Sequence, residues 1–73
     1  MGKYNQRTYV NQLPKNIQKG IRDAIIRNER KYGVPESAIR RNLPGAMNSR
    51  LGDLEEIINV RYWVDKANGK VKG

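Results

Sequence analysis

Between Pro14 and Gly33, Ile17, Ile21, Ala24 and Ile25 recur at the spacing that puts them on one face of a helix, with Tyr32 continuing the stripe and Asn28 inside it. Proline is tolerated in a first helical turn because its missing N–H would have no partner there. Glycine suits the position just past a helix end, where the backbone turns left-handed. The punctuation and the stripe together predict a helix over 14–32, amphipathic and in need of an apolar partner.

Gly33-Val34-Pro35 then turns the chain into a second helix over 35–43, with Val34, Ala38, Ile39 and Leu43 facing inward. Pro44-Gly45 breaks or kinks that helix, and Ala46–Arg50 can resume it, since Met47 and Leu51 keep the apolar spacing. Asp53 with Glu56 reads as a capping pair for a third helix over 53–67. Leu54, Ile57, Ile58, Val60 and Val64 make a broad apolar arc on it, and Trp63 projects to the far side. Asn68-Gly69 is also the preferred pair for a tight hairpin, and Val60, Tyr62 and Val64 alternate, so a β-hairpin over 60–72 competes with the helix. The helix explains Asp53–Ile58 better. The expectation is an all-α domain of three helices over 13–67, a flexible basic arm over 1–12 that tucks Tyr9 or Val10 against the body, and a flexible tail over 68–73.

A chain of 73 residues without cysteine has no disulfide or thiolate metal site to reinforce a small core. A homodimer would be an unsurprising way to add buried area. The absence of histidine removes the commonest metal ligand and the commonest general base. The seven acids are explained as caps or ion-pair partners, Ser37 and Ser49 have no histidine base, and no phosphate-cradling glycine loop occurs. The expectation is a non-catalytic protein without cofactor or metal. No apolar run approaches a membrane span, and charges run through every helix, so no membrane partner is expected and the chain reads as cytoplasmic.

All of the net charge of +8 falls in the first fifty residues, where eleven Lys and Arg face three acids; residues 51–73 carry four of each sign. Such asymmetry makes a directional field that attracts a polyanion. Lys15, Lys19, Arg22 and Arg30 share the face of the first helix opposite its isoleucines, with Ile26 among them. A solvated face, or charge that merely keeps the protein soluble, is the competing explanation. With Arg50 these four are the expected phosphate contacts; Ile26 and Trp63 are candidate anchors for a protein interface.

The segment Tyr32-Gly33-Val34-Pro35-Glu36-Ser37-Ala38-Ile39-Arg40-Arg41 resembles the turn and second helix of helix-turn-helix DNA-binding proteins. The resemblance covers about twelve residues and implies that Val34 and Ile39 are buried. It also implies that Glu36, Ser37, Arg40 and Arg41 face the major groove, with Ser37, Arg40 and Arg41 as the DNA contacts. The family's small apolar residue four positions before the glycine is Glu29 here. The order LPKNIQKGI…AMNSRLGDLEEII is similar to small uncharacterised proteins of Gram-positive bacteria and their phages. The leading expectation is therefore a small accessory or regulatory protein, of a phage or mobile element, that binds nucleic acid, duplex DNA first. The alternative is a small phage-type protein that binds and inhibits an acidic host protein.

Overall fold

The isoleucine stripe forms as predicted. In a computed structural model, which describes residues 2–71, helix α1 spans Lys15–Lys31, with Pro14 at its N-cap. Ile17, Ile21 and Ile25 are its buried residues. Its end is a Schellman motif: the Gly33 amide donates to the Arg30 carbonyl at 3.0 Å and the Val34 amide to Glu29 at 3.0 Å. Gly33 has φ +78°, the left-handed conformation that glycine adopts without a Cβ clash. Tyr32 departs from the expected stripe: it is the C-cap residue, and the backbone has already left the helical path, so its ring is 73% exposed.

Helix α2 spans Glu36–Met47, starting behind Pro35 and running through Pro44. Of the outcomes expected at Pro44-Gly45, the break does not occur and the helix continues to Met47. A proline inside a helix deprives the carbonyl four residues earlier of its donor. That carbonyl belongs to Arg40, and Arg40, Pro44 and Gly45 are all exposed, so water can serve it. Ile39 is buried, Leu43, Ala46 and Met47 pack on the main core, and Val34 and Ala38 are half-buried.

The third helix is shorter than the predicted 53–67. Leu51–Leu54 form a 3-10 turn, and helix α3 spans only Val60–Ala67. Asn59 separates them: its backbone is extended and its side chain accepts the Tyr62 amide at 3.2 Å, a true N-cap. Its β-branched neighbours Ile57, Ile58 and Val60 are indifferent helix formers. Asp53 and Glu56 are therefore not a capping pair; Asp53 accepts the Arg50 amide at 3.3 Å instead. Leu51 and Leu54 on the 3-10 turn and Ile58 after it all reach the core.

The hairpin alternative over 60–72 is overturned by α3. Asn68-Gly69 closes that helix rather than joining two strands. The Gly69 amide donates to Lys66 at 3.1 Å and the Lys70 amide to Asp65 at 2.8 Å, a second Schellman motif with Gly69 at φ +76°. Met1, Lys72 and Gly73 lie outside the described residues, and with them parts of the expected arm, tail and hairpin.

The N-terminal segment supplies the rest of the packing. A 3-10 turn at Val10–Gln12 buries Val10 completely, the tuck expected of Tyr9 or Val10. The Val10 amide donates to Ser49 at 2.9 Å, Leu51 to Thr8 at 2.9 Å and Gly52 to Gln6 at 2.8 Å, an antiparallel pairing centred on Tyr9 and Arg50. The Asn68 side chain extends it, accepting the Tyr4 amide at 2.8 Å and donating to the Tyr4 carbonyl at 2.9 Å. Among the described residues the core is wholly apolar: Val10, Leu13, Ile17, Ile21, Ile25, Leu51, Leu54 and Ile58 form one cluster, and no buried polar side chain lacks a partner.

Candidate nucleic-acid interface

With the isoleucines committed to the core, the opposite side of α1 must face solvent. Lys15, Lys19, Arg22 and Arg30 are exposed there, as expected, and Arg27 flanks them. Ile26 is half-buried and lines a shallow open groove with Asp23, Arg27 and Arg30. All four are side chains of one helix, so the groove is surface relief rather than a ligand cavity.

α1 and α2 run antiparallel. Arg30, in the last turn of α1, meets Glu36, in the first turn of α2. At the opposite end Asn11, before α1, donates to Asn48, after α2, at 3.0 Å. At the closed end the Arg30 guanidinium donates through Nε to Glu36 Oε1 at 2.7 Å and through a terminal nitrogen to Oε2 at 3.4 Å. This two-point hydrogen bond holds the Glu36 carboxyl below the usual carboxylate range, and the charges of Arg30 and Arg40 add to the effect. The same bond raises Arg30 above its ordinary value.

Glu36 thus lies between two of the expected DNA contacts. It is engaged in holding α1 to α2 and leaves the outward row of α2 to Ser37, Arg40 and Arg41, all exposed. Arg50 is exposed at the other end of the hairpin, its guanidinium 5.2 Å from the Tyr9 ring centre. Arg30, Ser37 and Arg40 are brought together by the Arg30–Glu36 contact; Lys15 and Lys19 are set apart toward the start of α1.

The two candidate protein anchors do not share a surface. Trp63 turns toward α1, where a Cβ at Gly20 would sit 2.5 Å from its ring. Gly20 and Ile26 are six residues apart, which sets them about 120° apart around the helix. Trp63 is half-buried against the core and forms a T-shaped pair with Tyr62, ring centres 5.1 Å apart at 84°.

A feature missed by reasoning on charge alone is the pairing of exposed aromatics with cations. Among the described residues Tyr9, Tyr32 and Tyr62 are the exposed large apolar side chains, and each has a cation near its ring: Arg50 at 5.2 Å, Lys31 at 6.0 Å and Lys66 at 5.7 Å. The sequence hint was the adjacency of Lys31 and Tyr32. Among the described residues no three acidic side chains gather where they could hold a metal ion, and no helix is long and apolar enough to cross a membrane. Comparison with protein-family models, with curated proteins and with solved structures finds no match.

Proposed function

We propose that this chain is a small non-catalytic DNA-binding protein whose surface is the outward sides of α1 and α2. One observation carries the reading. Of the cations among the described residues, Arg30 alone has an ion-pair partner. A charge of +8 left unneutralised within the fold is a standing attraction for a polyanion. Lys15, Lys19, Arg22 and Arg50 contact phosphates in this scheme, with Arg30 contributing in competition with Glu36. Ser37, Arg40 and Arg41 on α2 approach base edges, where arginine pairs two donors with guanine.

The test is binding of a fluorescent duplex by anisotropy over a range of salt. Micromolar or tighter affinity is expected, with log affinity falling against log salt by roughly 0.9 per phosphate contact. Arg40→Ala with Arg41→Ala should abolish discrimination between duplex sequences and lower the slope. Absence of binding at low salt would sink the proposal.

The second reading, inhibition of an acidic host protein, is favoured by Ile26, a half-buried aliphatic side chain set among arginines. Ile26→Glu would abolish capture of such a partner and leave DNA affinity only modestly reduced.

A further inference from the structure

Tyr32 has no structural use for its ring. It is 73% exposed, does not pack on the core, and lies at the closed end of the helical hairpin. The backbone that displays it is nonetheless fixed. Its own amide donates to Asn28 at 3.2 Å, and the Gly33 and Val34 amides bond back to α1 at 3.0 Å each. A large ring held by an ordered turn and left in water is a ready stacking surface.

The other exposed tyrosines are less free. Tyr62 is engaged by Trp63 and Lys66, and Tyr9 lies under Arg50. Lys31 reaches Tyr32 only at 6.0 Å, the outer limit of a cation–π contact. Lys31 and Arg30 precede Tyr32 in the last turn of α1, and Arg30 is the one of the two engaged by an acid, Glu36. An aromatic face beside excess positive charge is the combination that binds unpaired nucleotides, the ring stacking on a base and the cations holding its phosphates.

Resting on the DNA-binding reading, we propose that Tyr32 stacks on an unpaired base, so that the preferred ligand is a duplex adjoining a single-stranded segment. Within a flush duplex every base face is covered by its neighbours, and inserting a ring would require unstacking them. At a junction the first unpaired base offers its face freely, and the α2 row can lie on the adjoining duplex.

Two probes of equal phosphate number test this: a flush duplex, and a shorter duplex carrying a single-stranded extension. The wild-type chain should bind the extended probe about five- to hundredfold more tightly, the range expected for one stacked base. Tyr32→Ala should remove that preference without changing affinity for the flush duplex or its salt slope. Tyr32→Trp should restore it. Because Tyr32 touches no core side chain, both variants should melt like the wild type. Equal affinity of the wild type for the two probes, or a preference that survives Tyr32→Ala, overturns the assignment while the DNA-binding reading stands. Failure of the wild type to bind either probe removes both.

Discussion

At Gly20 a single hydrogen atom separates good packing from a collision. Alanine there would favour the α1 conformation by about 1 kcal/mol, since glycine is a poor helix former. Its Cβ would also meet the Trp63 ring at 2.5 and 2.7 Å, closer than carbon atoms can approach. Overpacking of that kind costs about 1–3 kcal/mol and should win. Gly20→Ala is therefore expected to lower stability in a urea melt and to shift Trp63 emission to the red as the ring swings into water. A gain in stability with unchanged emission would refute the close approach. At Glu36 the expectation concerns pH. Its folded carboxyl is held below the usual range by the Arg30 hydrogen bond, so its contribution is present above the unfolded pKa and fades as pH falls through the lower folded value. Wild type and Glu36→Gln should differ in melting temperature at neutral pH and converge in acid. The difference should be small, because both side chains are more than half exposed. A difference that grows in acid would contradict the pairing.

The elements divide into those governed by local chemistry and those governed by distant contacts. α1 was legible because Pro14, Gly33 and the isoleucines act within a few residues of themselves. The start of α2 was legible for the same reason. Its passage through Pro44 was not, since that depends on Arg40, Pro44 and Gly45 being exposed, a property of the packed molecule. The split at Asn59 follows a local rule, but an apolar arc that fits one long helix masked it. Asn68-Gly69 shows the ambiguity of a strong signal: glycine with φ +76° serves a hairpin or a helix end equally well. Of the candidate site, the exposure of the α1 and α2 cations could be read from periodicity. The engagement of Glu36 could not, because it depends on another element; the inward turn of Trp63 was hidden by the assumed long helix, since in a helix starting at Val60 it shares a face with Val60, Val64 and Ala67. The Asn68 side chain is a further long-range case, standing in for a strand by pairing with both backbone groups of Tyr4. Asn68→Ala removes both the acceptor of the Tyr4 amide and the donor to the Tyr4 carbonyl. It should lower stability by about 1–2 kcal/mol and speed hydrogen exchange of the Tyr4 amide. Unchanged exchange would mean that the N-terminal segment is held by its pairing with Ser49–Gly52 alone.

For the whole molecule, the question is whether its charge is a by-product of solubility or is held at a cost to stability. Solubility alone would be served by a smaller excess, or by acids and bases interspersed so that neighbours attract. Here the excess is +8 in 73 residues, and among the described residues one pair of opposite charges, Arg30–Glu36, is in contact. Most of the excess cations lie on α1 and α2, and α1 supplies three of the eight residues of the core cluster. The apolar core of so short a chain leaves a net margin of only a few kcal/mol, roughly 3–5, so the repulsion is a sizeable fraction of what remains. Screening should relieve it, since the Debye length shrinks from about 30 Å at 0.01 M salt to about 8 Å at 0.15 M. The melting temperature should accordingly rise between those concentrations, on the order of 5 °C for each 1 kcal/mol of repulsion removed. A short DNA duplex at low salt should produce a larger rise that grows with its concentration, because a ligand that binds only the folded chain stabilises it by mass action. Salt should then oppose the duplex, raising the melting temperature of the free protein and lowering that of the complex. A free protein whose melting temperature falls with salt would show that its surface charges attract on balance, and the argument from unrelieved repulsion to a polyanionic partner would fail.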